Sequence, residues 1–494
     1  MRIMNKCLKK PVEQGDIVFE DGKPKVYKKR FHILCMYCLG YLIWNWHTSR
    51  QIILATEFAE YFDTTNSFNP PDELGIDFFF ISDNIALICF YPLAGYLVDN
   101  YGIRVMIVAS MLQSASAWWW YLSFTNYYSV LASRILAAIG GTTNAAALLK
   151  ICNSWFPANE RPIAVGVAVL VANLGSGLAL LVGPMFSTGD RKINVNLKSC
   201  LDSFREDFNT SGSLECTDEA QDAFCCVSPT EIELYNLILA LITSAIMLYT
   251  IVAFQDKPLT PPGLAGLEKK APGFLQALKL MFSKRNYSQI CLADFVASGP
   301  PLVLFATIDR IIPASVAEYD FFVAAGGIVI AIPVAAYVTY ILGKNRNYFS
   351  VTFMSYTGGF SLWAAATICY AVGTYAADIA ILFLAGGSLV MLVVWTISVY
   401  ELKMEYTYSS EYNVSGFVVA IDRTIINLSS LIYVSSIPPE RFGEDGRVTT
   451  MYIGAAALFI AVILVWTIPQ KYKYLRKEHE DELSKDGPIS FENL

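Results

Sequence analysis

The chain has 494 residues, of which 54% are hydrophobic, 14% are aromatic and only 16% are charged. That balance excludes a soluble globular domain, in which about a quarter of the residues are charged. The composition indicates a membrane protein, and the formal net charge of -7 adds no constraint on the fold.

Charged residues are nearly absent from segments of ~20 residues, which is enough for a helix to cross the hydrocarbon core. The sequence predicts an all-α membrane protein with twelve transmembrane helices in two six-helix bundles. The bundles cover 31–254 and 288–470, a polar linker covers 255–287, and tails cover 1–30 and 471–494. The approximate spans are 31–57, 75–98, 103–125, 128–150, 162–186, 231–254, 288–312, 317–342, 349–373, 377–402, 412–436 and 449–469.

Lysine and arginine concentrate in the first tail, in the linker and in the last tail. Basic residues near membrane segments remain on the cytoplasmic side, so both termini are expected to be cytoplasmic. No cleavable signal peptide is expected, because the first span follows a long basic tail. The predicted location is the plasma membrane or an endomembrane, with membrane lipids as the surroundings.

Span one carries Trp44, Trp46 and His47, three rings with polar atoms. The face of a tryptophan ring attracts a cation with about 0.5 to 2 kcal/mol. His47 could bind a proton or touch haem iron, or it could simply extend an aromatic stripe. We include all three residues among the candidates for substrate binding.

Between spans two and three stand Gly95, Leu97, Asp99, Gly102 and Arg104, which resemble the signature G-x-L-x-D-x-x-G-x-R of the major facilitator superfamily. The resemblance implies two pseudo-symmetric bundles that hold a solute between them and alternate its access. The glycines permit close approach of helices and a tight turn. Asp99 could cap the next helix or pair with a cation across the bundle interface, as a latch that differs between conformations.

Three further residues are candidates for gating or coupling. Arg134 lies inside span four, where a charge costs roughly 2.5 to 3.5 kcal/mol on insertion scales, and it could support ion coupling or anchor buried carbonyls. Glu160 and Arg161 follow Trp155-Phe156-Pro157 between spans four and five, a cluster that resembles the same turn in many major facilitator families. Glu160 suits the positive end of the following helix.

The loop at 187–230 is predicted to face the outside or a lumen, where cysteines are oxidised. We expect one or two disulfides there, with the pairing left open, and N-glycosylation at Asn209 within Asn209-Thr-Ser211. The candidate cysteines are Cys200, Cys216, Cys225 and Cys226.

The turn after span ten, from Glu401 through Glu405 and Thr407-Tyr408 to Glu411, is similar to one in the feline leukaemia virus subgroup C receptor-related family, solute carrier family 49. Ser409 stands where that family usually has proline. The resemblance implies a carrier like those for choline, ethanolamine or haem, with ligand contacts from an aromatic residue in span one and amides in spans five and eleven. Glu401 and Glu405 join the gating candidates.

The two amide positions of that family depart from its pattern here. Span five has Asn173 where glutamine is typical, and the span-eleven position corresponds to Arg423. A free Arg423 would favour a carboxylate or phosphate on the solute, whereas a neutralised Arg423, paired with Asp294 or another acid, would leave a zwitterion or a cation possible. Asp294 and Arg423 are therefore candidates for substrate binding, and a purely structural ion pair is the alternative.

The function predicted from the sequence is transport of a small organic solute by alternating access, as a uniporter or with secondary coupling. The alternatives are a carrier for an anionic or zwitterionic metabolite and a non-transporting receptor or sensor. The chain is not expected to be an enzyme, because no nucleophile with a paired base emerges from the spans. We expect no cofactor, no metal, no nucleic acid partner and a monomeric chain.

Overall fold

The computed structural model describes residues 27–53, 77–123, 127–157, 160–182, 230–258, 271–306, 333–334, 336–342, 347–372, 394–407, 412–436 and 443–469. These residues are almost entirely helical, and further helical segments lie at 336–342 and 394–407. The helices are α1 (Lys29–Ile53), α2 (Asp77–Tyr101), α3 (Val105–Leu122), α4 (Tyr127–Trp155), α5 (Arg161–Val182), α6 (Thr230–Ala253), α7 (Phe274–Phe282), α8 (Arg285–Ala306), α9 (Tyr348–Val372), α10 (Ser415–Ser436) and α11 (Gly443–Trp466).

Helices α1 to α6 coincide with predicted spans one to six. In the second half, α8, α9, α10 and α11 coincide with spans seven, nine, eleven and twelve, and the short α7 lies in the linker. Among the described residues, five stretches are long and apolar enough to cross a membrane. They are Ile81–Leu122, Tyr127–Trp155, Arg161–Ala179, Leu234–Ala253 and Ser415–Tyr433.

Three helical segments continue beyond the predicted ends of their spans, and one of them is α4, which runs to Trp155 rather than ending at 150. Helix α2 runs to Tyr101 rather than ending at 98, and the segment at 394–407 remains helical beyond 402. The extensions of α2 and of the segment at 394–407 contain Asp99 and Lys403, whose side chains are buried. The predicted ends at 98 and 402 each stop just before one of these charges, and both charges have partners inside the protein.

The helices pack as two groups that meet along α2 and α10. Helix α1 packs against α5, helix α3 against α4 and α6, and helix α8 against α10 and α11. Small residues of α4 permit close approach, since a Cβ added at Gly141 would overlap the indole of Trp44 on α1. Small residues serve this purpose where helices associate in membranes.

Large apolar side chains on the outer surface of the helices are exposed, as Leu122, Leu248 and Val252 illustrate. Exposed apolar side chains of this kind are typical of helices that face lipid. The loop that carries Asn209, Cys200, Cys216, Cys225 and Cys226 lies outside the described residues. Its predicted glycosylation and disulfides therefore remain predictions.

Candidate functional site

Asp99 joins the two halves of the protein at one end of the helices. Its carboxylate accepts hydrogen bonds from the backbone N–H of Gly416 at 2.9 Å and of Phe417 at 3.0 Å. These N–H groups belong to the first turn of α10, where the helix dipole favours a negative charge. The sequence suggested a cap on the following helix or a pair with a cation, and the structure places the cap on α10 instead.

Gly95 makes that contact possible one turn earlier on α2. A Cβ added at Gly95 would lie 2.7 Å from the Cβ of Ala420 and 3.0 Å from the carbonyl oxygen of Gly416. Both distances are shorter than van der Waals contact, so a larger residue would push α2 away from α10. The glycine therefore brings the Asp99 carboxylate within reach of the α10 backbone.

Gly102 and Arg104 form a second contact, between the end of α2 and the chain after α6. Gly102 has a φ of 71°, and a Cβ there would lie 2.8 Å from a carboxylate oxygen of Asp256. Arg104 Nε pairs with the same carboxylate at 2.8 Å. Burial raises the pKa of Asp256, and the neighbouring Arg104 opposes that rise. Arg104 therefore stabilises the turn within the first half rather than the contact between halves.

The linker helix α7 adds an aromatic contact beside the Asp99 cap. The ring centroid of Phe274 lies 6.3 Å from that of Tyr96 on α2 and 5.6 Å from that of Phe417 on α10. Tyr96 and Phe417 also contact each other edge to face at 6.3 Å. Phe274 thus packs where the two halves meet, and any separation of α2 from α10 must disrupt this cluster.

Four other gating candidates, Glu160, Arg161, Glu401 and Glu405, lie at the same end of the molecule. Glu160 pairs with Arg30, which precedes the membrane part of α1, at 2.9 Å. Arg161 and Glu401 are buried and both lie close enough to Cys152 to interact with it electrostatically, and Glu405 is buried as well. The structure therefore gathers Glu160, Arg161 and Glu401 near the ends of α1, α4 and α5.

A buried ion pair holds the first half together. Arg134 on α4 pairs with Asp83 on α2, and its guanidinium also donates to the backbone oxygen of His47 on α1 at 2.9 Å. The same guanidinium lies 5.7 Å from the centre of the Trp120 ring, which packs edge to face on the His47 imidazole. Arg134 therefore both pairs with an acid and anchors a buried carbonyl.

A second buried cluster, the C-half triad, consists of Asp294, Lys403 and Asp422. The ammonium group of Lys403 pairs with both carboxylates, and the three side chains are 0%, 0% and 1% exposed. Tyr356 and the indole N–H of Trp395, at 3.2 Å, also donate to Asp294. Asp294 thus pairs with Lys403 rather than with Arg423.

Arg423 lies beside the triad but makes different contacts. Its guanidinium carbon is 5.8 Å from the centre of the Tyr400 ring, and it forms no salt bridge with a carboxylate of the described residues. Tyr41 and Tyr91 are near enough to interact with it electrostatically. We call Arg423, Tyr41, Tyr91 and Tyr400 the arginine–tyrosine cluster.

Helix α1 presents one face to this cluster. Tyr37, Tyr41 and Trp44 follow the spacing of three to four residues that places side chains on one side of a helix. The rings of Tyr41 and Trp44 stack at 5.6 Å with an interplanar angle of 7°. Helices α1, α2 and α10 and the segment at 394–407 therefore all contribute to this site.

Several buried hydrogen-bond donors near this face have no partner among the described residues. They include Trp44 Nε1, Asn144 Nδ2 and Arg423 Nε. Trp44 Nε1 lies against the backbone of Gly141 on α4, so its surroundings are filled by protein. Buried donors are normally satisfied in native proteins, which makes Asn144 Nδ2 and Arg423 Nε candidates for contact with a ligand. Trp46 and Asn173 differ, because Trp46 donates to Tyr235 at 2.8 Å and Asn173 donates to the carbonyl of Val169 at 2.8 Å.

The sequence indicated Asp294, Arg423, Trp44 and Asp99 but did not indicate Lys403 or the tyrosines. Lys403 lies one residue beyond the predicted end of span ten and resembled an ordinary cytoplasmic charge. A usable signal was the pair of acids in spans seven and eleven, which require a buried cation. Tyrosines are common in such chains, and only the three-dimensional packing distinguishes Tyr41, Tyr91 and Tyr400.

Comparisons with known proteins agree with the helical architecture described above. Residues 37–190 match the family model described as Major Facilitator Superfamily. A curated protein, the solute carrier family 49 member 4 homolog of Xenopus laevis, is 23% identical over 406 residues, which cover 74% of this chain and 80% of that protein.

Solved structures show the same architecture at low sequence identity. The E. coli fucose:proton symporter FucP has a TM-score of 0.64 at 14% identity, covering 90% of this chain and 100% of that one. The human organic anion transporter MFSD10 (TETRAN) has a TM-score of 0.57 at 14% identity, covering 88% and 99%. At such identities the likeness shows the major facilitator fold alone, a fold of twelve helices in two bundles.

Proposed function

Because this chain is a major facilitator superfamily transporter related to solute carrier family 49, we propose that it carries a small organic solute with an anionic group across a membrane by alternating access. The observation that carries the proposal is the arginine–tyrosine cluster. Arg423 is half-buried between bundles and forms no salt bridge with a described carboxylate, while both nearby acids pair with Lys403.

The chemistry of Arg423 favours a carboxylate or phosphate. A guanidinium remains charged at every relevant pH and binds a carboxylate through two parallel hydrogen bonds. An ionisable group inside a membrane span usually serves a function or has a partner, because its insertion is costly. The unpartnered donor of Asn144 also favours a ligand that accepts hydrogen bonds.

The stacked rings of Tyr41 and Trp44 support a second candidate, a solute that carries a cationic group. Aromatic faces attract quaternary ammonium groups, as expected for a relative of choline and ethanolamine carriers. Arg423 would repel a simple cation in the same cavity. The two features fit together if the solute is a zwitterion, with its anionic group at Arg423 and its cationic group over the aromatic pair.

The Asp99 cap supports alternating access as the mechanism. With both termini in the cytoplasm, the end of α2 that carries Asp99 would face the cytoplasm, and its bonds to α10 would close that side. Opening toward the cytoplasm would break the two hydrogen bonds and the contacts of Phe274, Tyr96 and Phe417. The solute would therefore enter this conformation from the opposite side.

The proposed topology also makes a prediction for the loop at 187–230, which would lie outside the cytoplasm. We propose that Asn209 is glycosylated and that Cys200, Cys216, Cys225 and Cys226 form one or two disulfides, since four cysteines and a glycosylation acceptor occur together in a loop expected outside the cytoplasm. Glycosidase treatment should then increase the mobility of the protein in a gel. Asn209→Gln should remove that change.

The first test is a thermal-shift screen of the purified protein. Choline, ethanolamine, haem, amino acids, and carboxylated or phosphorylated metabolites would be compared, because a ligand that binds only the folded state raises its apparent stability. We expect anionic or zwitterionic compounds to stabilise the wild type and to lose this effect in Arg423→Gln. Stabilisation by choline or ethanolamine alone, unchanged in that variant, would refute the assignment of Arg423.

A transport assay separates a carrier from a receptor. Any compound that stabilises the protein would be radiolabelled and its uptake measured in proteoliposomes. Binding with accumulation supports a carrier, whereas binding without flux would support the non-transporting receptor.

A further inference from the structure

The C-half triad combines three charges that do not cancel. Asp294 on α8, Lys403 in the segment at 394–407 and Asp422 on α10 come from three separate helices. Two carboxylates and one ammonium group leave a net charge of -1 when all three are ionised. Each of the three side chains is at most 1% exposed to solvent.

A net charge of -1 in such a site is unfavourable whenever no cation outside the triad offsets it, because burial removes the water that stabilises the charge. Two carboxylates that share a site do not readily ionise together, and one bound proton relieves both problems. The two carboxyl groups would share the proton, and Lys403 would balance the one negative charge that remains on them. We propose that the C-half triad binds one proton and that this proton is transported together with the solute.

Within the described part of the chain, the groups around the triad leave the two acids as the proton acceptors. Tyr356 and Trp395 already donate to Asp294, and neither offers a basic atom. Among the residues that the structure describes, the other titratable or charged side chains near the triad are tyrosines, a cysteine and Arg423, and none of them is a carboxylic acid. They are Tyr287 and Cys291 on α8, Tyr400 in the segment at 394–407, Arg423 on α10, and Tyr91 on α2.

Arg423 links the proton to the solute, and this step rests on the proposed function. Arg423 follows Asp422 directly in α10. Without solute, its positive charge offsets the net charge of -1 on the triad, and the charges of Asp294, Asp422, Lys403 and Arg423 sum to zero. An anionic group at Arg423 changes this sum to -1, which favours protonation of the triad. By linkage, a bound proton strengthens binding of the anion by the same factor.

The coupled step requires no other ion. The proton enters from water on the side to which the protein is open, binds the carboxylate pair, and leaves on the other side after the conformational change. One anionic group and one proton would move together, so the sum of the buried charges is the same before and after binding. The expected activity is electroneutral symport of a monoanion with a proton.

The test without any solute is an infrared titration of the protein in liposomes between about pH 4 and pH 9. A protonated carboxylic acid has a carbonyl band that a carboxylate lacks. We expect a titrating band in the wild type that is lost in both Asp294→Asn and Asp422→Asn, since each variant leaves a one-to-one pair with Lys403. Glu160→Gln, a carboxylate outside the triad, is the matched control and should retain the band.

Two conservative variants test the electrostatic link. Arg423→Gln removes a neighbouring positive charge and should raise the midpoint of the titration by about one pH unit, a tenfold change in proton affinity. Tyr356→Phe removes a hydrogen bond to the carboxylate and should also raise the midpoint. Absence of a titrating band, a band that persists in both aspartate variants, or an unchanged midpoint in Arg423→Gln would overturn the proposal.

A failure of this inference can be distinguished from a failure of the proposed function. The infrared titration uses no ligand, so it reports on the triad even if the thermal-shift screen refutes the anion site. If anions bind through Arg423 but the triad does not titrate, the carrier stands and proton coupling is wrong. If the triad titrates but anions do not bind, proton binding stands and its link to an anion is wrong.

Discussion

Replacing Asp99 with asparagine tests the contact that closes one end of the protein. Asparagine has nearly the same shape, but it carries no charge and offers one acceptor oxygen in place of two. One of the N–H groups of Gly416 and Phe417, now at 2.9 and 3.0 Å from the carboxylate, would then face the amide NH2 of Asn. The perturbation is therefore confined to the N-terminal turn of α10.

The size of the effect follows from the two hydrogen bonds. A hydrogen bond to a charged group contributes about 1.5 to 3 kcal/mol, and an acid at a helix N-terminus gains about 0.3 to 2 kcal/mol from the dipole. Loss of one bond and of the charge should cost about 2 kcal/mol in the closed conformation only. The equilibrium between closed and open conformations would shift about 30-fold toward opening at this end.

Hydrogen exchange of the α10 amides measures that shift directly. Peptides that contain Gly416 and Phe417 should exchange about 30-fold faster in Asp99→Asn, because these amides are protected only while the end is closed. Asp256→Asn is the matched control, since Asp256 is an acid at the same end that pairs with Arg104 rather than with α10. Unchanged exchange in Asp99→Asn, or equal acceleration in both variants, would refute the latch.

Three further substitutions test the site and its packing. Arg423→Gln should weaken binding of anionic ligands by about 2 to 3 kcal/mol, so that these ligands no longer raise the melting temperature. A rise as large as in the wild type would contradict the anion site. Phe274→Ala should accelerate exchange at the α10 amides by removing aromatic contacts of about 1 kcal/mol, and unchanged exchange would count against a gating role for the linker. Gly141→Ala should lower the melting temperature through overlap with Trp44, at about 1 to 3 kcal/mol, whereas Gly273→Ala, with nothing within 4 Å, should not.

The architecture could be predicted from the sequence because lipid imposes a strong and simple pattern. Long apolar segments and the residues from Gly95 to Arg104 were sufficient to indicate the major facilitator fold, which the structure and its relatives confirm. The ends of helices were less predictable where a charge was buried. Asp99 and Lys403 each ended a predicted span, yet each lies inside a helix because a partner from elsewhere compensates for its burial.

The pairing of charges could not be predicted, because it depends on which faces of distant helices meet. Asp294 was a candidate partner of Arg423 in the sequence, and the two lie in helices that do contact each other. Lys403 occupies the position between the acids, which leaves Arg423 among tyrosines. A shift of one residue along α10, about 100° around the helix, would have exchanged the roles of Asp422 and Arg423.

Helix α10 connects the Asp99 contact, proposed as a gate, to both charged sites, so one motion of this helix could affect all three. Its first turn receives Asp99, and Asp422 and Arg423 lie about two turns further along the same helix, about 12 Å from its start. Any tilt that separates α10 from α2 must therefore also displace Asp422 relative to Lys403 and Arg423 relative to Tyr41 and Tyr91. Solute at Arg423 and a proton on the triad would change the energy of that tilt, whereas the same charges on separate helices would need a further element to transmit their effect. Coupling among gate, proton and solute thus requires only that α10 move as a rigid helix.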